Sequence, residues 1–325
     1  MYLALYRKFR PSTFEKIVGQ EHVTKTLRNQ IINDRIGHAY LFCGSRGTGK
    51  TSCAKVFARA INCLNPKEGS PCGECEVCKA LKENNAIDII EIDAASNNGV
   101  EEIRDLRDKV KYPPTIGKYK VYIIDEVHML TTGAFNALLK TLEEPPKHII
   151  FIFATTEPHK IPTTILSRCQ RFDFKKIHDE KIVKRLKQIV EIEQIKITDE
   201  ALKEIAFLSD GGLRDSISLL DQAISYSDDE ITVKNIHDIN GSITKDEVRE
   251  LITCLCDKNL EDCLKNVEIY DANGKSMSKI VRSIIEELKN IILYCNAPTF
   301  FNNEDEFYKT IKEKTNNNML YSYIH

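Results

Sequence analysis

The first two-thirds of the chain alternates short, nearly continuous apolar runs with stretches of helical period. Ala39-Tyr40-Leu41-Phe42-Cys43 is such a run and ends at Gly44. Others cover 87–92, 120–125, 148–155 and, more briefly, 171–174. Between them the apolar positions recur at helical spacing over 50–62, 100–110 and 133–142. Pro113-Pro114 and Pro145-Pro146 end the latter two. Unbroken apolar runs predict strands buried on both faces, as in a parallel sheet. Strands alternating with helices predict a doubly wound α/β layer with ligands beyond the carboxyl ends of the strands.

From about His178 the strand signals stop. The spacing predicts helices over 179–193, 199–208, 213–226 and 232–237. After Gly241-Ser242 it predicts more at 244–256, 260–271 and 276–295. Asn302 to His325 is rich in Asn and charge and reads as an incomplete domain or a frayed tail. No internal repeat is visible. The chain has 325 residues, which at roughly 150 residues per domain means two or three domains. With 42% hydrophobic and 29% charged residues, each can bury a core, which excludes general disorder. No apolar run approaches the ~20 residues of a membrane span, and the N-terminal residues lack a signal-peptide pattern. The expectation is a cytoplasmic protein with no membrane partner.

Charge changes this picture only locally. The net charge is −2, so a simple basic nucleic-acid glue is excluded. Residues 1–60 nevertheless carry eleven basic side chains against three acidic ones, which suits either a polyanion partner or a solvated surface. Cysteine usage changes it more. Four of the eleven cysteines cluster at Cys63, Cys72, Cys75 and Cys78. A secreted disulfide framework would be denser and shorter, so the pattern points to a reducing compartment with one metal cluster. Four thiolates separated by short turns can close a tetrahedral structural Zn²⁺ site. An iron–sulfur cluster or free thiols are the alternatives, though ferredoxin runs place the distant cysteine last, not first.

The strongest chemical signal is Gly44-Ser45-Arg46-Gly47-Thr48-Gly49-Lys50-Thr51, which fits G-x-x-x-x-G-K-[ST] between a predicted strand and a predicted helix. Its glycines let backbone N–H groups turn toward phosphate oxygens, and the helix N-terminus adds partial positive charge. Lys50 is expected on the β/γ-phosphates and the Thr51 hydroxyl on Mg²⁺. Asp125-Glu126 ends the third strand: Asp125 is expected to hold Mg²⁺, and Glu126 to orient and deprotonate the attacking water. Alone the pair could be a helix cap. Thr155, ending the fourth strand, could reach the γ-phosphate or the water, or merely cap a turn. Ala95-Ser96-Asn97-Asn98-Gly99, backed by Arg104 and Arg107, could track a DNA strand or act as an ordinary helix start.

Together these motifs resemble the AAA+ ATPases. Tyr6-Arg7-Lys8-Phe9-Arg10-Pro11 with Val18-Gly19-Gln20-Glu21 is similar to the adenine-side segment of clamp-loader ATPases. Ser167-Arg168-Cys169 matches their S-R-C motif, and Gly211-Gly212-Leu213-Arg214-Asp215 is similar to their second sensor. The cysteine insertion narrows the resemblance to the gamma/tau family. It runs over about residues 1–240 and more weakly to 295.

The resemblance implies an AAA+ P-loop NTPase: an α/β nucleotide-binding domain at 1–178 with a zinc insertion at 63–78, a helical lid at 179–242 and an incomplete helical collar at 243–325. It implies ATP bound by Tyr6, Arg7, Val18 and the P-loop, with Arg214 reading the chain's own nucleotide. It implies Arg168 acting in trans on a neighbour's. The partners implied are other clamp-loader subunits and copies of the chain in a ring, the sliding clamp, and primer–template DNA held by its backbone. The function implied is clamp loading for DNA polymerase III. A non-hydrolysing subunit of the same assembly and a Holliday-junction branch-migration motor are the alternatives.

Overall fold

The computed structural model describes residues 3–80, 87–227, 229–297 and 306–314. In chain order the elements are α1 (Leu5–Lys8), α2 (Glu21–Ile32), β1 (Ala39–Cys43), α3 (Lys50–Ile61), α4 (Glu76–Ala80), β2 (Ile89–Asp93), α5 (Val100–Lys109), β3 (Lys120–Asp125), α6 (Thr132–Glu143), β4 (Ile149–Thr155), α7 (Thr163–Leu166) and β5 (Gln170–Asp173). Helices α8 (Asp179–Glu193), α9 (Asp199–Leu208), α10 (Leu213–Tyr226), α11 (Val233–Asn240), α12 (Lys245–Cys256), α13 (Leu260–Ala272), α14 (Met277–Asn296) and α15 (Glu306–Lys314) follow.

The five strands form one parallel sheet in the order β2-β3-β4-β1-β5. The apolar runs are continuous because each strand feeds two cores. Leu41 and Cys43, Tyr122 and Ile124, and Phe151 and Phe153 face one core with α5 and α6. Their neighbours Tyr40 and Phe42, Val121 and Ile123, and Ile150 and Ile152 face another with α2 and α3. The two-residue period sends alternate side chains to opposite faces, so helices are needed on both. All residues of β1 and β4 are buried, as central strands require. Edge strands β2 and β5 are partly exposed.

The chain divides into two compact units, Met1–Gln194 with Ile205–Ser218 and Ile195–Glu204 with Leu219–His325. The second unit is helical. Its core draws on Val248, Leu251 and Ile252 of α12, Ile280, Leu288 and Ile291 of α14, and Tyr308 and Ile311 of α15. Glu287 of α14 is buried there and bonds Arg249 Nε at 2.9 Å.

The strand and helix expectations hold with end shifts of one to three residues. Two readings need correction. Helix α2 was not expected, although Val23, Leu27 and Ile31 recur every four residues and line one core. The frayed-tail reading fails for 306–314. Tyr308 and Ile311, three residues apart, dock on the α12/α14 core from a helix whose Lys and Glu residues hid its apolar edge. Residues 302–305 and 315–325 lie outside the described residues.

Candidate nucleotide site and metal centre

The sheet order places the P-loop. Strand β1 lies between β4 and β5, and β4 separates it from β3. Cys43 is in register with Thr155, and Ile124 with Phe153, so the ends of β1, β4 and β3 stand side by side. The loop leaves β1 through Gly44, whose φ is +151°. A Cβ there would lie 2.4 Å from the Phe174 carbonyl oxygen, so only glycine fits. Gly47 and Gly49 also take positive φ. The Thr48 hydroxyl donates to the Ser45 carbonyl at 2.8 Å. Lys50 Nζ donates to the carbonyls of Gly44 at 2.8 Å and Ser45 at 2.9 Å, so it folds over the loop it serves. Burial pushes its ammonium below the usual lysine value, with Glu126 and Asp125 opposing.

The Thr51 hydroxyl donates to Asp125 Oδ2 at 2.7 Å, which brings together the two expected Mg²⁺ ligands from α3 and β3. A hydroxyl and a carboxylate are hard oxygen donors of the kind Mg²⁺ takes. Glu126 follows with φ +47° and ψ +45°, a left-handed conformation uncommon for a residue with a Cβ. Such strain clusters at functional sites. Its Oε2 accepts from the Thr156 hydroxyl at 3.0 Å and, more weakly, the Thr156 N–H at 3.3 Å.

Segment 209–215 closes on the loop from the side. The Arg214 N–H points to the Gly47 carbonyl at 3.4 Å, and Arg46 lies 3.9 Å from Asp215. The Arg214 guanidinium stacks over the Tyr6 ring, 5.2 Å from its centroid. Arg7 Nε donates to the Tyr6 hydroxyl at 3.1 Å. Val18 is half-buried just before α2. Arg168 goes elsewhere: it bonds Glu143 at 2.7 Å and the Thr164 carbonyl at 2.6 Å. In the candidate DNA segment, the Ala95 N–H is taken by Asp93 and Arg104 is paired with Glu101.

Four contributors were given no role of their own from the sequence. Gln20 is fully buried. Its amide donates to the Lys175 carbonyl at 2.7 Å and points to the Thr48 carbonyl at 3.4 Å, tying the loop to the exit of β5. His128, Thr156 and Glu143 each hold an expected site residue. The first two follow the Asp-Glu pair and Thr155 so closely that proximity in sequence was the available signal.

The sulfurs of Cys63, Cys72, Cys75 and Cys78 lie within 4.8 Å of one another. Cys63–Cys75 and Cys72–Cys78 are each 4.0 Å apart. Thiolates ~2.3 Å from a tetrahedral ion are ~3.8 Å apart, so the cluster could hold a metal with little adjustment. Backbone N–H groups of Cys72, Cys75 and Cys78 point at the sulfurs of Cys63, Cys72 and Cys75, at 3.3–3.4 Å. The N–H groups of Glu74 and Cys75 lower the Cys72 thiol to about 6. Burial raises the Cys63 and Cys78 thiols. The loop is anchored where Arg28 pairs with Glu68 at 2.8 Å and the Ser70 hydroxyl donates to Glu15 at 2.8 Å.

A parallel sheet of this order, with a P-loop after the strand next to the edge, an Asp-Glu pair two strands away and a threonine on the strand between, defines a P-loop NTPase of the AAA+ class. That class implies a nucleotide and Mg²⁺ as ligands. The fold also matches the Thermotoga maritima RuvB Holliday junction branch migration motor, with a TM-score of 0.54 over 84% of this chain and 90% of that one, at 16% identity.

Within the class, the profile of the DNA polymerase III delta subunit matches residues 19–178. That of the DNA polymerase III clamp loader subunit ATPase lid domain matches 181–229. Bacillus subtilis DNA polymerase III subunit tau is 54% identical over 297 residues, 91% of this chain and 53% of the relative. The tau subunit of Escherichia coli is 42% identical over 303 residues, 93% and 47% respectively. DNA polymerase III subunit gamma of Buchnera aphidicola subsp. Baizongia pistaciae is 37% identical over 329 residues, 99% and 89%. The chain belongs to the gamma/tau family of DNA polymerase III subunits, whose membership implies assembly with other subunits. It spans about half the length of the Bacillus and Escherichia relatives. No helix among the described residues is long and apolar enough to cross a membrane.

Proposed function

We propose that the chain is an ATP-hydrolysing subunit of the DNA polymerase III clamp loader, placing the sliding clamp on primer–template DNA in the bacterial cytoplasm. The observation that carries the reading is the Thr51–Asp125 contact beside Glu126, next to a complete P-loop. In this reading the loop N–H groups and Lys50 bind the phosphates, and Tyr6, Arg7 and Val18 border the adenine. Thr51 and Asp125 hold Mg²⁺, which neutralises phosphate charge when bound. Glu126 takes the proton of the attacking water, and Thr155 orients the water or the γ-phosphate. Arg214 reports the nucleotide to the lid helices from its place against the P-loop. Arg168 serves the neighbouring subunit. Its partners here, Glu143 and Thr164, support a role outside its own loop.

The four cysteines hold Zn²⁺, a structural ion with all four positions filled by protein. The domains are the nucleotide-binding part at 1–178, the lid at 179–242 and the collar at 243–325. Segment 95–99, with Arg104 and Arg107 behind it, supplies backbone contacts to DNA. The test is phosphate release by the assembled loader. Clamp and primed DNA together should stimulate it severalfold, and Glu126→Gln in this subunit should remove the stimulated component. A rate indifferent to clamp and DNA would reject the loading role.

A further inference from the structure

We propose that His128 is a positioning residue for ATP hydrolysis, holding the Thr155 hydroxyl and the Glu126 carboxylate in one polar frame. The inference rests on the reading of Glu126 as the base. His128 lies in the short turn Val127–Met129 after β3. The turn is fixed by the Met129 N–H donating to the Glu126 carbonyl at 2.9 Å. Met129 points to solvent, yet the His128 side chain is only 7% exposed. A buried imidazole is costly unless both nitrogens find partners, and both do. Nδ1 is 3.1 Å from Thr155 Oγ1, and Nε2 is 3.3 Å from Glu157 Oε1.

For a neutral ring these partners fix the order of the protons. An ionised carboxylate only accepts, so Nε2 carries the hydrogen toward Glu157. The Glu157 N–H donates to Thr155 Oγ1 at 3.0 Å, which leaves the threonine its own O–H to give. In the neutral ring Nδ1 is the acceptor for it. The direction of the Thr155 hydroxyl is thereby set from the side opposite the P-loop strand.

Glu126 is set by the same ring. Its Oε2 lies 3.4 Å from Nδ1, too long for a good hydrogen bond and facing a lone pair. The carboxylate instead takes its hydrogen bonds from the Thr156 N–H and hydroxyl, with the ring packed beside it. His128 and Thr156 bracket it from two strands, and neither contacts the P-loop in doing so. Losing the imidazole would leave the Thr155 hydroxyl hydrogen without its acceptor and Glu126 without the ring beside it, while the phosphate cradle stays intact. The expected signature is a loss in kcat without a loss in nucleotide binding.

The experiment compares three substitutions at His128, each in the fully assembled loader with clamp and primed DNA. An Asn amide can stand near the Nδ1 position, whereas a Gln amide reaches the Nε2 position. His128→Ala should lower kcat by about 10²-fold, the scale of a misplaced catalytic group. ATP affinity should stay within about twofold, because ground-state binding is not its role. His128→Asn should recover at least about tenfold of that loss, and His128→Gln should not. If the Ala chain does not fold, the Asn/Gln difference decides.

Wild-type kcat in His128→Ala, or equal rates for the Asn and Gln chains, would overturn the proposal and leave a space-filling residue. Glu126→Gln measured alongside separates the two ideas. If it still turns over ATP, the base assignment fails and the proposal with it. If it is inactive while His128→Ala runs at full rate, only the role of His128 is lost.

Discussion

In the proposed site, the surroundings of Lys50 and Glu126 divide binding from chemistry. Lys50 already satisfies its ammonium on two P-loop carbonyls. Exchanging them for phosphate oxygens replaces neutral acceptors with charged ones, which form the stronger bonds. Lys50→Ala should therefore weaken ATP binding by at least about tenfold, as expected for a lost charge-assisted contact of roughly 1.5–3 kcal/mol. Among the described residues the Glu126 carboxylate is hydrogen-bonded by Thr156 and lies beside His128, while its influence on Lys50 is through charge and not through a hydrogen bond. Glu126→Gln should keep affinity and lose about 10²–10⁴-fold in turnover. Titration with a fluorescent ATP analogue and single-turnover phosphate release check the split. Equal loss of binding in both chains would reject the assignment. The P-loop residues were legible because each role depends on a neighbour within eight positions. Gln20 was not, because it acts by holding a strand exit 155 residues away.

Among the elements, the cysteine insertion is the one whose shape a metal would complete. Gly69 and Gly73 take positive φ, and a Cβ at Gly69 would lie 2.9 Å from the Arg28 carbonyl oxygen, so the loop turns tightly against α2. The spacing of the cysteines predicted that they cluster, since three of them sit within seven residues. The anchoring of the loop by Arg28 and Glu15 was not predictable from spacing. Elemental analysis of the purified protein should find about one equivalent of zinc and no iron, as for a closed four-thiolate site. Cys75→Ser should release the ion and make residues 63–78 sensitive to protease, while ATP affinity changes little.

Because metal replaces thiol protons, affinity should fall as pH drops. The sign follows from the thiols. Cys72, at about 6, gives up its proton readily, whereas Cys63 and Cys78, raised by burial, must be deprotonated by the metal across the neutral range. Chelator-induced release measured between pH 8 and pH 5 should speed up steadily toward acid. A pH-independent rate would argue against thiolate ligation.

For the whole molecule the decisive question is which nucleotide Arg168 serves. The fork of this arginine is held by Glu143 and the Thr164 carbonyl of its own chain, with its side chain 32% exposed. An exposed ion pair of this kind is worth little, about 0–1 kcal/mol, so the guanidinium can leave Glu143 for a neighbour's phosphates at small cost. Arginine fingers contribute on the order of 10³–10⁵ in rate in other NTPases. The isolated chain should hydrolyse ATP slowly, and assembly should accelerate it. Arg168→Ala chains and Glu126→Gln chains should each form inactive rings. Mixed rings should recover part of the rate, because a Glu126→Gln chain can lend its Arg168 to a site with an intact Glu126. Phosphate release from rings mixed in known ratio checks this, and no recovery despite co-assembly would place the action of Arg168 within its own chain.

Periodicity and local chemistry by themselves determined much of this protein. The strands were legible because burial on both faces makes their apolar runs continuous, and the helices because a one-sided face repeats every three to four residues. The P-loop, the Asp125-Glu126 pair and the four cysteines were legible because their chemistry needs residues close together in sequence. The order β2-β3-β4-β1-β5 was decided only by the tertiary structure, since each strand's run is compatible with several neighbours. So were the stacking of Arg214 on Tyr6, the capture of Arg168 by Glu143 and the meeting of His128, Thr155 and Glu157 around one ring. Those contacts join residues 25 to more than 200 positions apart. Side-chain direction, which no hydrophobic pattern encodes, settles them.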